Sequence, residues 1–337
     1  MMTIEKINEL SSGIEYHLRQ IENFTKDLRE IKSSLDELRQ SREAEYLWEL
    51  QKLRTDMALM RNELAKRGLP DVEKYEIEFA QIKELAENED WPMAVNPVEI
   101  CNDDEKATIR AISILDLVIG ERLENKKLLD YGCGEGHVVN QATKSGAESL
   151  GYDINSEKFK FDQDLFTNDF EQIKKKAPFD IVLLHDVLDH IQNIDPIEAL
   201  MQVKSILSPE GRIYVRNHPW SSKHGGHLYE QINKAYLHLI LDEVELTRMG
   251  GFTCQHNLCV ILPEATYRHW FNEAGLKIVS EIPIKSEVPQ FFKQPSLIRE
   301  KLCKVWGGDE GATLANLEID FIEYVVEPTD NSNQKIF

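Results

Sequence analysis

The fold is decided by residues 128–137, whose sequence is LLDYGCGEGH. An apolar stretch ends at Asp130 and is followed by Gly132, Gly134 and Gly136. Glycines in a turn between a strand and a helix let the backbone approach a ligand closely and allow positive φ angles. The same spacing also fits an ordinary tight turn, so its meaning depends on the next apolar stretch of the chain.

That second apolar stretch, ESLGYDI at residues 148–154, ends in an acid, Asp153, which lies 19 residues after Gly134. A carboxylate at the end of the second strand can accept hydrogen bonds from both hydroxyls of a ribose. Strand, glycine turn and acid-ended strand together predict a site for a nucleoside.

Strand and helix patterns alternate along the rest of the chain. A helix is expected to begin at the Asn102/Asp103 cap and to continue through ATIRAISILDLVIGERL. Short apolar stretches separated by helical ones favour a mainly parallel sheet that helices cover on both faces. The predicted fold class is therefore α/β, doubly wound. The predicted strands lie in KKLLDYG, ESLGYDI, FDIVLLH, GRIYVRN, LKIVSEIPI and FIEYVVEP.

Asp130 and the three glycines resemble the D-x-G-x-G-x-G signature of class I S-adenosylmethionine-dependent methyltransferases of the small-molecule type. FDIVLLHDVLDHI (179–191) is similar to the fourth-strand segment of that family, and LSPEGRIYV (207–215) to the loop and fifth strand. The resemblance covers about residues 104–284 and extends less closely to Pro328. It implies a Rossmann-like methyltransferase sheet and S-adenosyl-L-methionine as cofactor.

The resemblance also implies a set of cofactor-binding residues. The glycine loop admits the methyl donor, Asp130 supports the loop and the donor's amino group, and Asp153 orients the ribose. His185 and Asp186 end the fourth strand at the donor pocket. The expected cofactor-binding residues are Asp130, Gly132, Gly134, Gly136, Asp153, Asp164, His185 and Asp186.

The segment after Asp153 departs from the family pattern, which has a full helix and a third strand there. Only INSEKFKFDQDLF separates Asp153 from the next helical pattern, so we expect the second helix to be very short or absent. Asp162 or Asp164 is the candidate for the adenine contact, and we select Asp164. A surface acid in a tight loop is an equally good interpretation.

A loop rich in histidine follows the predicted fifth strand. Its sequence, RNHPWSSKHGGHLY at residues 216–229, resembles the W-S-x-x-G-G-H-L loop of some small-molecule methyltransferases. Ligands of open α/β sheets bind beyond the carboxyl ends of strands. His218 and His227 are the catalytic candidates, as general bases for transfer of the methyl group to an oxygen or nitrogen. The alternative is that these histidines only fix the loop by hydrogen bonds.

Three patterns could suggest a metal, and we expect none to be bound. HDVLDH (185–190) is explained by the family's fourth-strand segment. Cys254 and Cys259, with His256 between them, lack a second pair to complete a zinc site. A three-histidine site in the loop after the fifth strand is a minor option.

Composition limits the class of protein. The 337 residues carry a net charge of −20, which disfavours a nucleic-acid partner because phosphates are repelled. No apolar stretch is long enough for a membrane span. An odd count of five cysteines suits a reducing compartment, so we expect the protein to be cytoplasmic. The family resemblance implies a small-molecule acceptor.

Residues 1–68 have the seven-residue periodicity of a coiled coil. This predicts a homo-oligomer, either a dimer or a trimer; packing of the helix on its own domain is the alternative. We divide the rest into a connector (69–101), a methyltransferase domain (102–329) with an insertion at about 285–318, and a loose tail (330–337). The apolar positions are Ile7, Ile14, Ile21, Leu28 and Leu35, with Leu10, Phe24, Ile31 and Leu38 three residues on.

Two functions remain open from the sequence. The first is S-adenosylmethionine-dependent methyl transfer to an oxygen or nitrogen nucleophile of a small or sugar-like acceptor, by an enzyme that its helix could hold on an assembly. The second is a non-catalytic scaffold, in which the coiled coil is the working part and the methyltransferase fold is degenerate.

Overall fold

The computed structural model describes residues 70–94, 100, 102–191, 195–228, 231–251 and 264–329. The predicted coiled coil, the Cys254–Cys259 segment and the predicted tail lie outside the described residues, as does part of the predicted connector. The domain boundaries and the coiled coil therefore stay predictions.

A seven-stranded sheet forms the centre of the described chain, in the order β3-β2-β1-β4-β5-β7-β6. β7 is antiparallel to β5 and β6, and the remaining neighbours are parallel. The expected mainly parallel, Rossmann-like sheet is confirmed. The strands are β1 (Lys127–Tyr131), β2 (Glu148–Tyr152), β3 (Phe166–Thr167), β4 (Phe179–His185), β5 (Leu207–Asn217), β6 (Leu276–Lys285) and β7 (Ile319–Pro328).

Helices cover both faces because the central strands are apolar on both sides. Leu128 and Leu129 are successive residues of β1, and both are fully buried. Successive strand side chains point to opposite faces, so the two leucines belong to different cores. Leu128 packs in one cluster with Ile181 of β4, and Leu129 packs in another with Val182.

Eleven α-helices are assigned within the described residues. Asp103 caps α2 by accepting hydrogen bonds from Glu105 N and Lys106 N, as the sequence predicted. A π-helical turn, Ile114–Ile119, follows α2 and ends at Gly120 with φ +63°. The helices are α1 (Pro70–Glu87), α2 (Asp104–Ser113), α3 (His137–Lys144), α4 (Phe170–Lys176), α5 (Pro196–Ser205), α6 (Leu237–Ile240), α7 (Glu243–Arg248), α8 (Glu264–Glu273), α9 (Gln290–Lys293), α10 (Leu297–Val305) and α11 (Glu310–Leu317).

The segment between β2 and β3 contains two 3₁₀ turns, Ser156–Lys158 and Gln163–Leu165, in place of a full helix. The expected shortening of the second helix is confirmed. The two-residue strand β3 follows directly, and it is too short for hydrophobic periodicity to predict.

A third cluster lies at the side of the sheet where α1, α6, α7 and α9–α11 pack together. Trp91 is fully buried in it and donates a hydrogen bond from Nε1 to Ala235 O at 3.0 Å. Tyr236 Oη donates to Leu317 O at 2.7 Å and so ties α11 to the segment before α6. Within the described part of the chain, every helix is too short or too polar to cross a membrane.

Candidate functional site

The glycine loop, residues 132–136, connects β1 to α3 and lies where ligands of parallel sheets bind. Its three glycines all have positive φ angles: +84° at Gly132, +54° at Gly134 and +91° at Gly136. Side chains other than glycine rarely adopt such angles without strain. The sequence spacing therefore reflects a backbone requirement at each position.

The surroundings of these glycines differ in a way that locates the ligand. A Cβ at Gly132 would lie 2.5 Å from Val187 Cγ2, and one at Gly136 would lie 2.3 Å from the ring of Phe166. A Cβ at Gly134 would meet none of the described atoms within 4 Å. Gly132 and Gly136 are thus needed for packing, whereas Gly134 faces open space that a ligand can enter.

Asp153 lies beside that open space, at the end of β2. Its Oδ2 accepts a hydrogen bond from Gly134 N at 2.9 Å, and its Oδ1 accepts one from Asn155 N at 2.9 Å. Each carboxylate oxygen can accept more than one hydrogen bond. The carboxylate is therefore held in one orientation while it keeps capacity for two hydroxyl donors.

Asp130, at the end of β1, is buried behind the glycine loop. Burial raises its pKa to about 7, and the nearby Asp153 carboxylate acts in the same direction, while the Arg110 guanidinium opposes them. Its charge therefore depends on pH near neutrality.

Asp164 lies in the second 3₁₀ turn, between β2 and β3. Its backbone N–H donates to Asp162 Oδ1 at 3.1 Å in the second 3₁₀ turn, and its side chain is exposed. It lines a recess of about 360 Å³ together with residues of β2, β3 and α4. Its assignment as the adenine contact stays a prediction.

The chain after β3 is the part that lies beside Asp153. Asp153 N donates to Thr167 O at 3.3 Å, so Asn168 and Asp169 follow at the same edge. Asp169 caps α4 by accepting a hydrogen bond from Glu171 N at 3.0 Å. Sequence reasoning did not identify Asn168 as a residue near Asp153, because the two-residue strand β3 leaves no periodic pattern in the sequence.

His185 and Asp186 end β4 and meet a cation that sequence reasoning did not find. Arg110 Nη2, from α2, lies 3.3 Å from His185 Nδ1 and 3.3 Å from Asp186 Oδ2. Burial would raise the pKa of Asp186, but His185, His218 and Arg110 together hold it well below its usual range. Burial lowers the pKa of His185. One surface arginine within a helical pattern carries no signal that would have predicted this contact.

The histidine loop, residues 218–228, follows β5 and is packed closely around two glycines. A Cβ at Gly225 would lie 2.2 Å from Trp220 O, and one at Gly226 would lie 2.7 Å from His238 Cβ. His238 Nε2 lies 2.8 Å from Trp220 O, and because a carbonyl only accepts, the nitrogen donates. His227 follows with φ +47°, an uncommon angle for a residue other than glycine.

His218 faces Asp186 with one nitrogen. Its Nδ1 lies 3.2 Å from the carbonyl oxygen of Asp320, so Nδ1 carries the proton in the neutral ring. Its Nε2 then has a lone pair and lies 3.8 Å from Asp186 Oδ1. The ring of Phe321 packs against it with centroids 4.3 Å apart.

His227 faces a different carboxylate, that of Asp189. Its Nε2 lies 3.8 Å from Asp189 Oδ2, and His190 Nε2 lies 3.6 Å from the same oxygen. Burial, followed by the nearby His218 and His190, lowers the pKa of His227 to about 2. Burial raises the pKa of Asp189. The two catalytic candidates thus face different carboxylates, His218 that of Asp186 and His227 that of Asp189, while their ring centroids lie 5.9 Å apart.

Unpaired polar atoms concentrate at this edge of the sheet. Leaving such an atom buried without a hydrogen bond costs about 1–3 kcal/mol, so a group of them marks a place prepared for a ligand. Among the described residues, those at the ends of β4, β5 and the start of β7 with a buried polar atom that receives or donates no hydrogen bond are His185, Asp186, Asp189, Arg216, Asn217 and Asp320.

Comparison with known proteins gives one family match. A family model described as "Methyltransferase domain" matches residues 104–281, which is more than half of the chain and contains β1 to β5 with the glycine loop.

Two curated relatives are ubiquinone biosynthesis O-methyltransferases. That of Rhodopseudomonas palustris (strain TIE-1) is 30% identical over 112 residues, which is 30% of this chain and 44% of the relative. That of Acinetobacter baylyi is 24% identical over 172 residues, which is 46% of this chain and 65% of the relative. The matched stretches thus span about half to two thirds of these relatives.

A solved SAM-dependent methyltransferase from Archaeoglobus fulgidus has 17% identity and a TM-score of 0.45, and the match covers 68% of this chain and 96% of that one.

Proposed function

The chain belongs to the methyltransferase domain family, and from this premise we propose that it transfers a methyl group from S-adenosyl-L-methionine to a hydroxyl oxygen of a small acceptor. The donor supplies an activated methyl on a sulfonium sulfur. The protein has to bind and align donor and acceptor and to accept a proton.

The observation that carries the proposal is the joint placement of the glycine loop and Asp153. Asp153 is oriented by Gly134 N and Asn155 N, beside the open space at Gly134. These features fit a nucleoside whose ribose hydroxyls donate to the carboxylate. Asp130 would support the amino group of the donor, and Arg110 would hold the carboxylate of its methionine part.

The acceptor is assigned to the side of Asp186 and the histidine loop. The named relatives are O-methyltransferases, which favours oxygen over nitrogen as the nucleophile. We assign His218 as general base, since Nδ1–H donates to Asp320 O and leaves Nε2 to accept the proton. A bound donor would supply the methyl group, leaving the electrons of the broken carbon–sulfur bond on sulfur as the carbon–oxygen bond formed, and His218 would take the hydroxyl proton. Asp186 stabilises the resulting imidazolium.

The remaining expectations from the sequence belong to the same proposal. The acceptor is small or sugar-like and not a nucleic acid, the enzyme acts in the cytoplasm, and residues 1–68 join two or three copies. A non-catalytic scaffold would not require the positive φ angles of the glycine loop together with an oriented Asp153. No observation on the described residues favours that alternative.

The donor site is tested by calorimetric titration with S-adenosylhomocysteine. The native chain should bind it, and Gly132→Arg should not, because even a Cβ at this position would lie 2.5 Å from Val187. Gly308→Arg is the matched control, since Gly308 is exposed and a Cβ there meets no described atom within 4 Å. Absence of binding by the native chain would refute the proposed donor, and equal binding by Gly132→Arg would refute its location.

The acceptor class is tested by transfer of a radiolabelled methyl group to panels of phenols, sugars and amines. We expect label in a hydroxyl-bearing compound, recovered as an ether. Label only in amines would overturn oxygen as the nucleophile and leave the donor assignment unaffected.

A further inference from the structure

Asp189, His190 and His227 form a cluster whose atoms the proposed methyl transfer does not use. We propose that these three residues bind a divalent metal ion of the Zn²⁺ type at the acceptor side of the site. The position of the ion next to an acceptor rests on the proposed function, whereas the binding of the ion does not.

The distances within the cluster suit one ion. Each residue offers a ligand atom, and all three atoms lie within 4.8 Å of one another. His190 Nε2 and His227 Nε2 lie 3.6 and 3.8 Å from Asp189 Oδ2. Metal–ligand bonds of about 2.1 Å in tetrahedral geometry place neighbouring ligand atoms about 3.4 Å apart. The two distances to Asp189 Oδ2 exceed this value by only a few tenths of an ångström.

The second observation is the state of the Asp189 carboxylate. Asp189 is only 1% exposed, and neither of its oxygens accepts a hydrogen bond from any other described residue. A buried carboxylate without donors is strongly unfavourable unless a positive charge is close. Both oxygens are thus available to a cation, and the two imidazole nitrogens beside them belong to the residue type that most often ligates metals.

The backbone holds the ligands on two separate segments. His190 belongs to a turn after β4 that is closed by the hydrogen bond from His190 N to Val187 O at 2.9 Å. His227 has φ +47° in the histidine loop, where its N–H donates to His224 O at 2.8 Å. Strained backbone of this kind persists where the surroundings fix it, and it concentrates at functional sites. The two imidazole rings are nearly parallel, with centroids 5.3 Å apart.

A second group of possible ligands consists of Asp104, Glu135 and His137. It differs from the Asp189 cluster in having a positive charge beside its carboxylates. Lys160 Nζ lies 2.9 Å from Asp104 Oδ1 and 2.8 Å from Glu135 Oε2, so an ammonium group already neutralises these acids. The Asp189 cluster includes two histidines and one carboxylate with no lysine or arginine bonded to Asp189 among the described contacts. Of the two groups, only the Asp189 cluster fits a metal.

Two nitrogens and one oxygen are a donor set used by zinc and by other first-row transition metals. Three protein ligands leave at least one position for a further oxygen ligand. The ring of His218 lies 5.9 Å from that of His227, so the cluster adjoins the acceptor side. A metal-bound hydroxyl has a lowered pKa, which would assist proton transfer to His218.

The test uses the full chain after dialysis against a chelator. Co²⁺ is added as a spectroscopic probe and its visible absorption is followed, and Zn²⁺ binding is measured by calorimetry. We expect one ion per chain. Asp189→Asn and His227→Gln should each weaken Co²⁺ binding by about 100-fold or more, because even outer partners of metal ligands contribute about 10–100-fold.

The matched control is His269→Gln, which removes an exposed histidine of α8 and should leave Co²⁺ affinity unchanged. Circular dichroism of each variant shows whether the fold is retained. No bound ion, or an ion whose affinity is the same in Asp189→Asn and in the native chain, overturns the proposal.

Titration of the same samples with S-adenosylhomocysteine separates this inference from the proposed function. Asp189→Asn should lose the ion and keep S-adenosylhomocysteine binding. Binding of the ion without S-adenosylhomocysteine would refute the donor proposal and leave the metal site standing. Binding of S-adenosylhomocysteine without an ion would refute the metal site and leave the donor proposal standing. The expectation from sequence that no metal is bound would then stand.

Discussion

The two halves of the candidate site are built in different ways. The donor half consists of the glycine loop and Asp153, and its main contacts are hydrogen bonds between a carboxylate and backbone N–H groups. The acceptor half consists of residues 185–190 and the histidine loop, and its contacts join side chains from separate elements. The first half depends on backbone angles, and the second on which side chains meet.

The two halves also differ in whether their buried polar atoms are hydrogen-bonded. In the donor half, the oxygens of Asp153 already receive hydrogen bonds before any ligand is present. In the acceptor half, both oxygens of Asp189, one of Asp186 and the amide of Asn217 are buried without hydrogen bonds among the described residues. The donor half is thus preorganised, whereas the acceptor half retains polar atoms whose partners a ligand, an ion or water can supply. Substitutions in the two halves should therefore affect different measurements.

The largest effect is expected from His218→Gln, in the acceptor half. Loss of the proposed general base should lower kcat by about 10²–10⁴-fold, because this is the usual contribution of proton transfer by a positioned side chain. The affinity for S-adenosylhomocysteine should stay within about two-fold. Steady-state kinetics with the acceptor found by screening measure the first quantity and calorimetry the second. His269→Gln is the control, and an unchanged kcat in His218→Gln would exclude the assigned base.

The next largest effect is expected from Gly136→Ala, in the donor half. The new Cβ would lie 2.3 Å from the Phe166 ring at a residue with φ +91°, so the loop has to move. We expect S-adenosylhomocysteine affinity to fall by about 100-fold, with a lower Tm. Gly308→Ala imposes a similar φ, +87°, without a contact within 4 Å of the described atoms, and it should leave the affinity unchanged. Equal losses in both variants would show that backbone strain, and not the contact with Phe166, is responsible.

The donor half could be predicted from the sequence more completely than the acceptor half, because its features are local in the chain. Asp130, the glycines and Asp153 lie within 24 residues, and each glycine has a local backbone reason that spacing reveals. The long apolar strands were predicted for the same reason. Arg110 reaches Asp186 across 76 positions, and the placement of His227 beside Asp189 depends on turn geometry. Periodicity gives no information on such contacts, so the histidines could be identified as candidates but their partners could not.

A smaller effect is expected from Asp153→Asn. The amide oxygen can still accept a hydrogen bond from Gly134 N, but the negative charge that strengthens hydrogen bonds from the ribose is lost. We expect S-adenosylhomocysteine affinity to fall by about ten-fold, measured by calorimetry. Asp164→Asn is the matched control and also tests the adenine contact predicted from sequence. If Asp164→Asn lowers the S-adenosylhomocysteine affinity as much as Asp153→Asn does, Asp164 belongs to the donor site.

The smallest effect concerns Asp130 and the pH dependence of stability without donor. Burial raises the pKa of Asp130 in the folded chain to about 7, above its value of 3.8 in the unfolded chain. The folded state therefore holds this proton more tightly, so the contribution of Asp130 to the free energy of unfolding falls as pH rises towards 7 and is constant above it. Between pH 6 and pH 8 the loss is about 1.4 kcal/mol, since one pKa unit corresponds to about 1.36 kcal/mol.

Asp130→Asn removes this titration. Between pH 6 and pH 8, its free energy of unfolding should therefore rise by about 1.4 kcal/mol relative to that of the native chain. Any change in stability that the substitution causes equally at both pH values does not affect this difference. Urea unfolding of both proteins at the two pH values measures the difference, in which the titration of other groups cancels. Asp116→Asn, which removes an exposed carboxylate from the π-helical turn, is the matched control. If the difference between Asp130→Asn and the native chain is the same at both pH values, Asp130 is ionised throughout. The donor half would then present two carboxylates, Asp130 and Asp153, to the cationic donor at neutral pH.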